Sequence, residues 1–185
     1  MTATDSQASS QAGLIEYLRL EMKRLHAQYD RAVRDLSEEQ WHWLPNDKGN
    51  SIAFETWHYT RTEDNIVRFI LQDRRPTVWL DGNYPEMLGL HRTAQGTGMP
   101  PTEAQAFHIS DIQLFQEYMQ QVWAGTDEWL ANPDESSFAT PVTVKPIGEM
   151  PKIHALGQVC LTHGFGHLGE IDHIRAMMDL PGVNI

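Results

Sequence analysis

The chain has a single cysteine, Cys160, in 185 residues, so no internal disulfide framework exists and a reducing compartment is expected. Positive charge is scarce: 14 Lys and Arg stand against 25 Asp and Glu, for a formal net charge of -11. Such a balance repels phosphate backbones and anionic lipid headgroups, which sets nucleic acid and membrane surfaces aside as partners. Long apolar runs are missing too, and the opening MTATDSQASSQAG lacks the basic and hydrophobic regions of a secretion signal. A cytoplasmic location is expected. With no internal repeat or linker, residues 13–185 read as one domain after a disordered polar tail, residues 1–12.

What is present is helical periodicity. Leu18, Met22, Leu25, Tyr29, Ala32 and Leu36 recur at steps of four and three, with no interior Gly or Pro until the segment SEEQWHWLPNDKGN. Ser51 is a good N-cap for a second helix, IAFETWHYTRTEDNIVRFILQD. Residues 74–101 hold four prolines and four glycines and read as a long loop, of the kind that covers or builds a site. A third helix is expected from Thr102 to about Pro133, with Ile112, Phe115, Met119 and Val122 as its stripe. FATPVTV then suits a short strand or an extended crossover. A fourth helix runs from about Lys152 to Met178. Four long helices with irregular connections predict an all-α four-helix bundle.

The fourth helix carries the chemistry. Its stripe of Leu156, Val159, Cys160, Ile174, Met177 and Met178 is interrupted by His163, His167 and Glu170. Polar groups in a core row need partners, because an unsatisfied one costs about 1–3 kcal/mol. His163 and His167 are four apart, so both imidazoles can hold one ion from successive turns. A third ligand must come from another helix, and His58 is the best candidate, on the face shared by Phe54, Thr62, Asn65 and Phe69. The other six histidines, His26, His42, His91, His108, His154 and His173, read as surface or core-edge residues. Gly164, Gly166 and Gly169 flank the ligand row and make room either for a neighbouring helix or for a substrate. Cys160 reads as a small core residue, Glu63 and Asp64 as a solvated acidic face in preference to a support behind the site, and Trp57, Trp79 and Tyr84 as core or lid aromatics in preference to the walls of a pocket near His58 and the long loop.

The segments SIAFETWHYTRTEDNIVRFIL and HGFGHLGEIDHIRAMM, in this order and joined by a long loop and a helix, resemble the DinB-like (YfiT-like) superfamily of metal-binding four-helix bundles. The resemblance spans about residues 13 to 180. It implies a three-histidine site for a divalent metal such as zinc, nickel or iron on His58, His163 and His167. Where that family often continues with Arg-Gly-Gln, this chain has Leu168, Gly169 and Glu170. Glu170 is therefore a candidate fourth ligand, an orienting partner of a histidine, or the catalytic general base. Relatives include S-transferases that use low-molecular-weight thiols such as bacillithiol or mycothiol, and a thiol-dependent maleylpyruvate isomerase. The resemblance thus implies a metal-dependent transferase or hydrolase of a small molecule, possessing a thiol cofactor and forming a homodimer. The alternative is a non-catalytic bundle that binds a ligand or partner, with a structural or vestigial metal; in a third reading no metal is present and the histidines form a buried polar network.

Overall fold

The computed structural model describes residues 3–183. Helix α1 spans Ala3–Val33, so helical backbone continues through much of the segment read as a tail; Ala, Ser and Gln there include no proline to stop it. Leu18, Met22, Leu25, Tyr29 and Ala32 are all buried, as their spacing requires. Helix α2, Glu38–His42, is closed by a reciprocal cap in which the Gln40 backbone N–H donates to Ser37 Oγ at 3.2 Å and the Ser37 N–H donates to Gln40 Oε1 at 2.8 Å.

Helix α3, Ile52–Asp64, begins where Ser51 Oγ accepts the Phe54 N–H, and every residue in it is buried. It continues as a π-helical segment, Asn65–Ile70. The long connection that follows is less irregular than its prolines and glycines suggest, since it contains the short helices α4, Val78–Asp81, and α5, Tyr84–Leu88. The reason lies in Asp64, whose carboxylate accepts the Val78 and Trp79 N–H groups at 2.8 and 2.9 Å and the Tyr118 hydroxyl at 3.0 Å. That is an N-cap supplied from another helix. Glu63 is likewise fully buried, so the pair read as a solvated acidic face is core. Burial raises the Asp64 pKa, against the pull of its Trp79 and Val78 donors.

The third helix is broken. Helix α6 covers Pro101–Gln105, and α7, Ile112–Ala131, starts afresh with Asp111 accepting the Leu114 N–H at 2.9 Å. The break is held because buried Ile109 donates its N–H to His42 Nε2 at 3.1 Å. A 3-10 turn at Glu135–Ala139 leads to an antiparallel hairpin of β1, Pro141–Val144, and β2, Gly148–Pro151, paired from Pro141↔Pro151 to Val144↔Gly148. The Lys145–Pro146 peptide in its turn is cis.

The last rod has three parts: α8, Lys152–His154, a π-helical segment, Ala155–Thr162, and α9, His163–Met177. Rods one, two, three and four, built on α1, α3, α7 and α9, form the four-helix bundle. Helix α9 packs on α3 and α1, and Lys152 Nζ donates to the Leu71 carbonyl at 2.7 Å, tying the hairpin side to the end of the second rod. Trp41, Trp57 and Trp79 are fully buried, each burial worth roughly 1.5–3 kcal/mol or more. Among the described residues, no helix is long and apolar enough to cross a membrane.

Candidate metal centre

The two π-helical segments meet at the place where the histidines gather. One follows α3, which carries His58, and the other ends immediately before His163. A π turn adds a residue per turn and widens the rod, which opens room between helices that would otherwise close on each other. Side-chain composition does not distinguish such a segment from an α-helix, so no residue pattern announces it.

His58, His163 and His167 each offer a ligand atom, and these atoms lie within 4.8 Å of one another. The ring centroids are 4.3 Å apart for His163 and His167, 4.8 Å for His58 and His167, and 5.3 Å for His58 and His163. His58 donates from Nδ1 to the Gln95 carbonyl, which fixes the tautomer and leaves Nε2 with its lone pair toward the cluster. Gly96 permits that contact: its φ is +89, and a Cβ there would lie 2.8 Å from His58 Nδ1. The long connection therefore builds the site with a backbone group.

His167 is held through its Nδ1 as well. Its Nδ1 lies 2.6 Å from Glu55 Oε2 and 2.8 Å from Glu170 Oε2, while its Nε2 lies 2.8 Å from His163 Nε2. Burial alone would depress the His167 pKa, but the hydrogen bonds to Glu170 and Glu55 outweigh it and raise the value to about 9. Burial first, then the neighbouring His167 and His58, lowers His163 to about 4. The pair is consistent with an imidazolium at His167 donating Nε2–H to a neutral His163. A cation binding these nitrogens has to replace that proton, so ligation and deprotonation are coupled. Burial raises the Glu55 pKa, whereas the His167 hydrogen bond lowers that of Glu170.

Three converging imidazoles, two of them oriented through their other nitrogen by a carbonyl or carboxylates, fit a divalent ion of the zinc class. Glu55, His167 and Glu170 form a second group able to hold a cation. Glu55 went unnoticed in the sequence because an acid in the first turn of a helix already has an ordinary explanation in the helix dipole. Its spacing of three from His58 was the available signal.

The structure also separates residues that the sequence grouped. Gly164 makes room for packing, since a Cβ there would lie 2.5 Å from Leu25 Cδ2 and 2.7 Å from Tyr59, and its carbonyl accepts the Tyr29 hydroxyl at 3.0 Å. Gly166 and Gly169 face open space. His26, read as surface or core edge, is buried and bonds Glu63 at 3.0 Å. His91, His108, His154 and His173 are exposed, and the His42 ring lies tilted against that of His108 with centroids 4.0 Å apart. Trp57, Trp79 and Tyr84 are core aromatics. Buried Cys160 has its thiol pKa pushed well up by desolvation, which removes its nucleophilicity.

A cavity of about 1180 Å³ opens beside His163, bounded by both π-helical segments, the hairpin and the Gln95–Thr97 stretch. Its size suits a small-molecule ligand.

The DinB superfamily model matches residues 21–171. No curated protein matches the chain significantly. Among solved structures, a conserved protein from Enterococcus faecalis superposes with a TM-score of 0.74 at 16% identity, over 88% of this chain and 95% of that one. YfiT from Bacillus subtilis, described as a probable metal-dependent hydrolase with an unusual four-helix bundle topology, superposes with a TM-score of 0.53 at 15% identity, over 90% and 89%. At these identities the two structures speak for the fold.

Proposed function

The chain belongs to the DinB superfamily, and we propose that it is a metal-dependent enzyme that acts on a small molecule by transfer or hydrolysis. The observation that carries this reading is the convergence of His58, His163 and His167 within 4.8 Å, beside a cavity that His163 itself lines. Three protein ligands would leave a coordination position for a reactant, which is the pattern of catalytic rather than structural zinc sites.

A divalent ion held there, zinc, nickel or iron, supplies Lewis acidity and brings the pKa of a coordinated thiol or water toward neutrality. The chain's own residues do the rest. Gln95 and Gly96 hold His58 in one tautomer, and Glu55, bonded by Asn50 Nδ2 at 2.6 Å, anchors His167 from the buried side. Glu170, expected from sequence as the catalytic carboxylate, is assigned a positioning role: it binds His167 Nδ1, is the more exposed of the two acids, and passes protons between that imidazole and solvent. A low-molecular-weight thiol is the nucleophile implied by the family resemblance, and water the one implied by the description of YfiT.

One observation favours a second reading. Glu55 and Glu170 bond His167, and His167 bonds His163, through hydrogen bonds that need no ion, which suits a non-catalytic ligand-binding bundle without metal. Protein purified without a histidine tag separates the two. Stoichiometric metal, lost on His163→Ala, with turnover of electrophilic substrates by added thiol or of esters by water, supports the enzyme; absence of metal from the native protein overturns it. We further place the protein in the cytoplasm as a homodimer, with exposed Leu14, Tyr17 and Leu20 of α1 as the contact face; a monomer by analytical ultracentrifugation would refute the dimer.

A further inference from the structure

His91 is exposed, yet its ring organises the stretch of chain that holds His58. The backbone N–H groups of Thr93 and Ala94 both donate to His91 Nδ1 at 3.2 Å, and the Thr93 hydroxyl lies 3.3 Å from the same nitrogen. One side-chain acceptor thus takes the amides two and three residues ahead, the arrangement with which an Asn or Asp closes a turn. To accept, Nδ1 must be bare, so the ring hydrogen sits on Nε2.

That turn sets the direction of the two carbonyls around it. Ala94 presents its carbonyl to Arg61 Nε at 3.3 Å, and Gln95 presents its own to His58 Nδ1. Both partners stand on α3, and buried Arg61 is itself fixed, its guanidinium lying 4.8 Å over the Trp79 ring. Beyond Gln95 comes Gly96, close against the His58 ring with a φ of +89. Glycine leaves the backbone free to turn either way, so the aim of the Gln95 carbonyl is not set from that side. A neighbouring ion pair between Arg92 and Glu86 is exposed on both partners and contributes little. His91 fixes the stretch from the N-terminal side.

We propose that His91 is a positioning residue for the histidine cluster: by closing the turn at Thr93 and Ala94 it aims the Gln95 carbonyl at His58 Nδ1, and so keeps His58 Nε2 free as a ligand. The hold on the His58 tautomer is independent of any metal; only the effect on metal affinity rests on the proposed function. Without the turn the Gln95 carbonyl loses its aim, and His58 can carry its hydrogen on either nitrogen. The form with hydrogen on Nε2 offers no lone pair toward His163 and His167. A cation must then select the other form, which lowers its apparent affinity by the fraction lost.

Imidazole nitrogen NMR of the full chain stripped of metal, with a zinc competition titration on the same samples, tests this. In the unaltered chain His58, assigned by the signal missing from His58→Gln, should show one tautomer with its hydrogen on Nδ1. His91→Ala should give a mixture of tautomers and weaken zinc binding by about tenfold, with the fold kept by circular dichroism. His91→Asn, whose side-chain oxygen can accept the same amides, should restore both values, and Arg92→Ala should leave both as they are. No mixing of tautomers in His91→Ala, equal mixing in Arg92→Ala, or no recovery in His91→Asn would overturn the proposal. Failure of the proposed function looks different. A chain that binds no zinc, yet loses the His58 tautomer in His91→Ala and regains it in His91→Asn, sinks the metal enzyme and leaves the positioning role. Tight zinc binding with a His58 tautomer indifferent to His91 does the reverse.

Discussion

Two histidine and glutamate clusters are built on the same helix, and they differ in what remains to be satisfied. In the inner one, Glu63 is fully buried and its two oxygens receive His26 at 3.0 Å, the Tyr59 hydroxyl at 2.6 Å and the Thr126 hydroxyl at 2.7 Å. His26 is stacked on Trp123 with ring centroids 4.3 Å apart. Both Glu63 oxygens have donors, the cavity beside His163 is not lined by the group, and it joins α1, α3 and α7; His26 Nδ1 alone is left without a hydrogen-bond partner. In the outer cluster, three imidazoles present nitrogens to one another beside open volume, and acids stand behind one of them. The same residue types hold a core together in the first case and offer ligands in the second. What separates the two is three converging nitrogens and access, not the presence of a buried histidine.

The largest expected effect breaks the outer cluster alone. His163→Ala should lower metal content, by mass spectrometry of tag-free protein, from about one ion per chain to under roughly a tenth, with the fold kept by circular dichroism. Breaking the inner cluster should do the opposite. Glu63→Ala leaves its donors without an acceptor and should cost about 3–5 kcal/mol by denaturant unfolding, while the folded fraction still binds metal. Gly164→Ala forces a Cβ against Leu25 and Tyr59 and should cost about 1–3 kcal/mol. Glu170→Gln weakens the support of His167 and should loosen metal binding by about tenfold in a competition titration, with little change in stability. Smallest of all, Gly166→Ala, which meets nothing within 4 Å, should stabilise the protein by about 0.5–1 kcal/mol. If Gly164→Ala and Gly166→Ala behaved alike, the division of glycines between packing and open surface would be wrong.

The bundle and the convergence of the three histidines were legible in the sequence because periodicity reports which face of a helix is buried. His58, His163 and His167 could be selected on that basis, and Phe54, Thr62, Asn65 and Phe69 were placed on the His58 face. The support of those histidines was much less legible. Gln95 acts through its carbonyl, and a backbone group from a loop leaves no side-chain signature. Glu55 looked like a helix-dipole acid, and Glu63 and Asp64 looked solvated because buried acids are rare without partners, which in this fold arrive from distant segments. The break between α6 and α7 depends on His42, far away in the chain, accepting the Ile109 N–H. Local pattern carried the elements; tertiary partners decided the exceptions.

The most direct test of the central claim is anomalous diffraction from crystals of tag-free protein loaded with zinc. The account expects a single strong peak bonded to His58, His163 and His167 at about 2.0–2.1 Å from each nitrogen, with the remaining position open toward the cavity. No peak there, or a peak on Glu55, Glu170 and His167 Nδ1 instead, would contradict it.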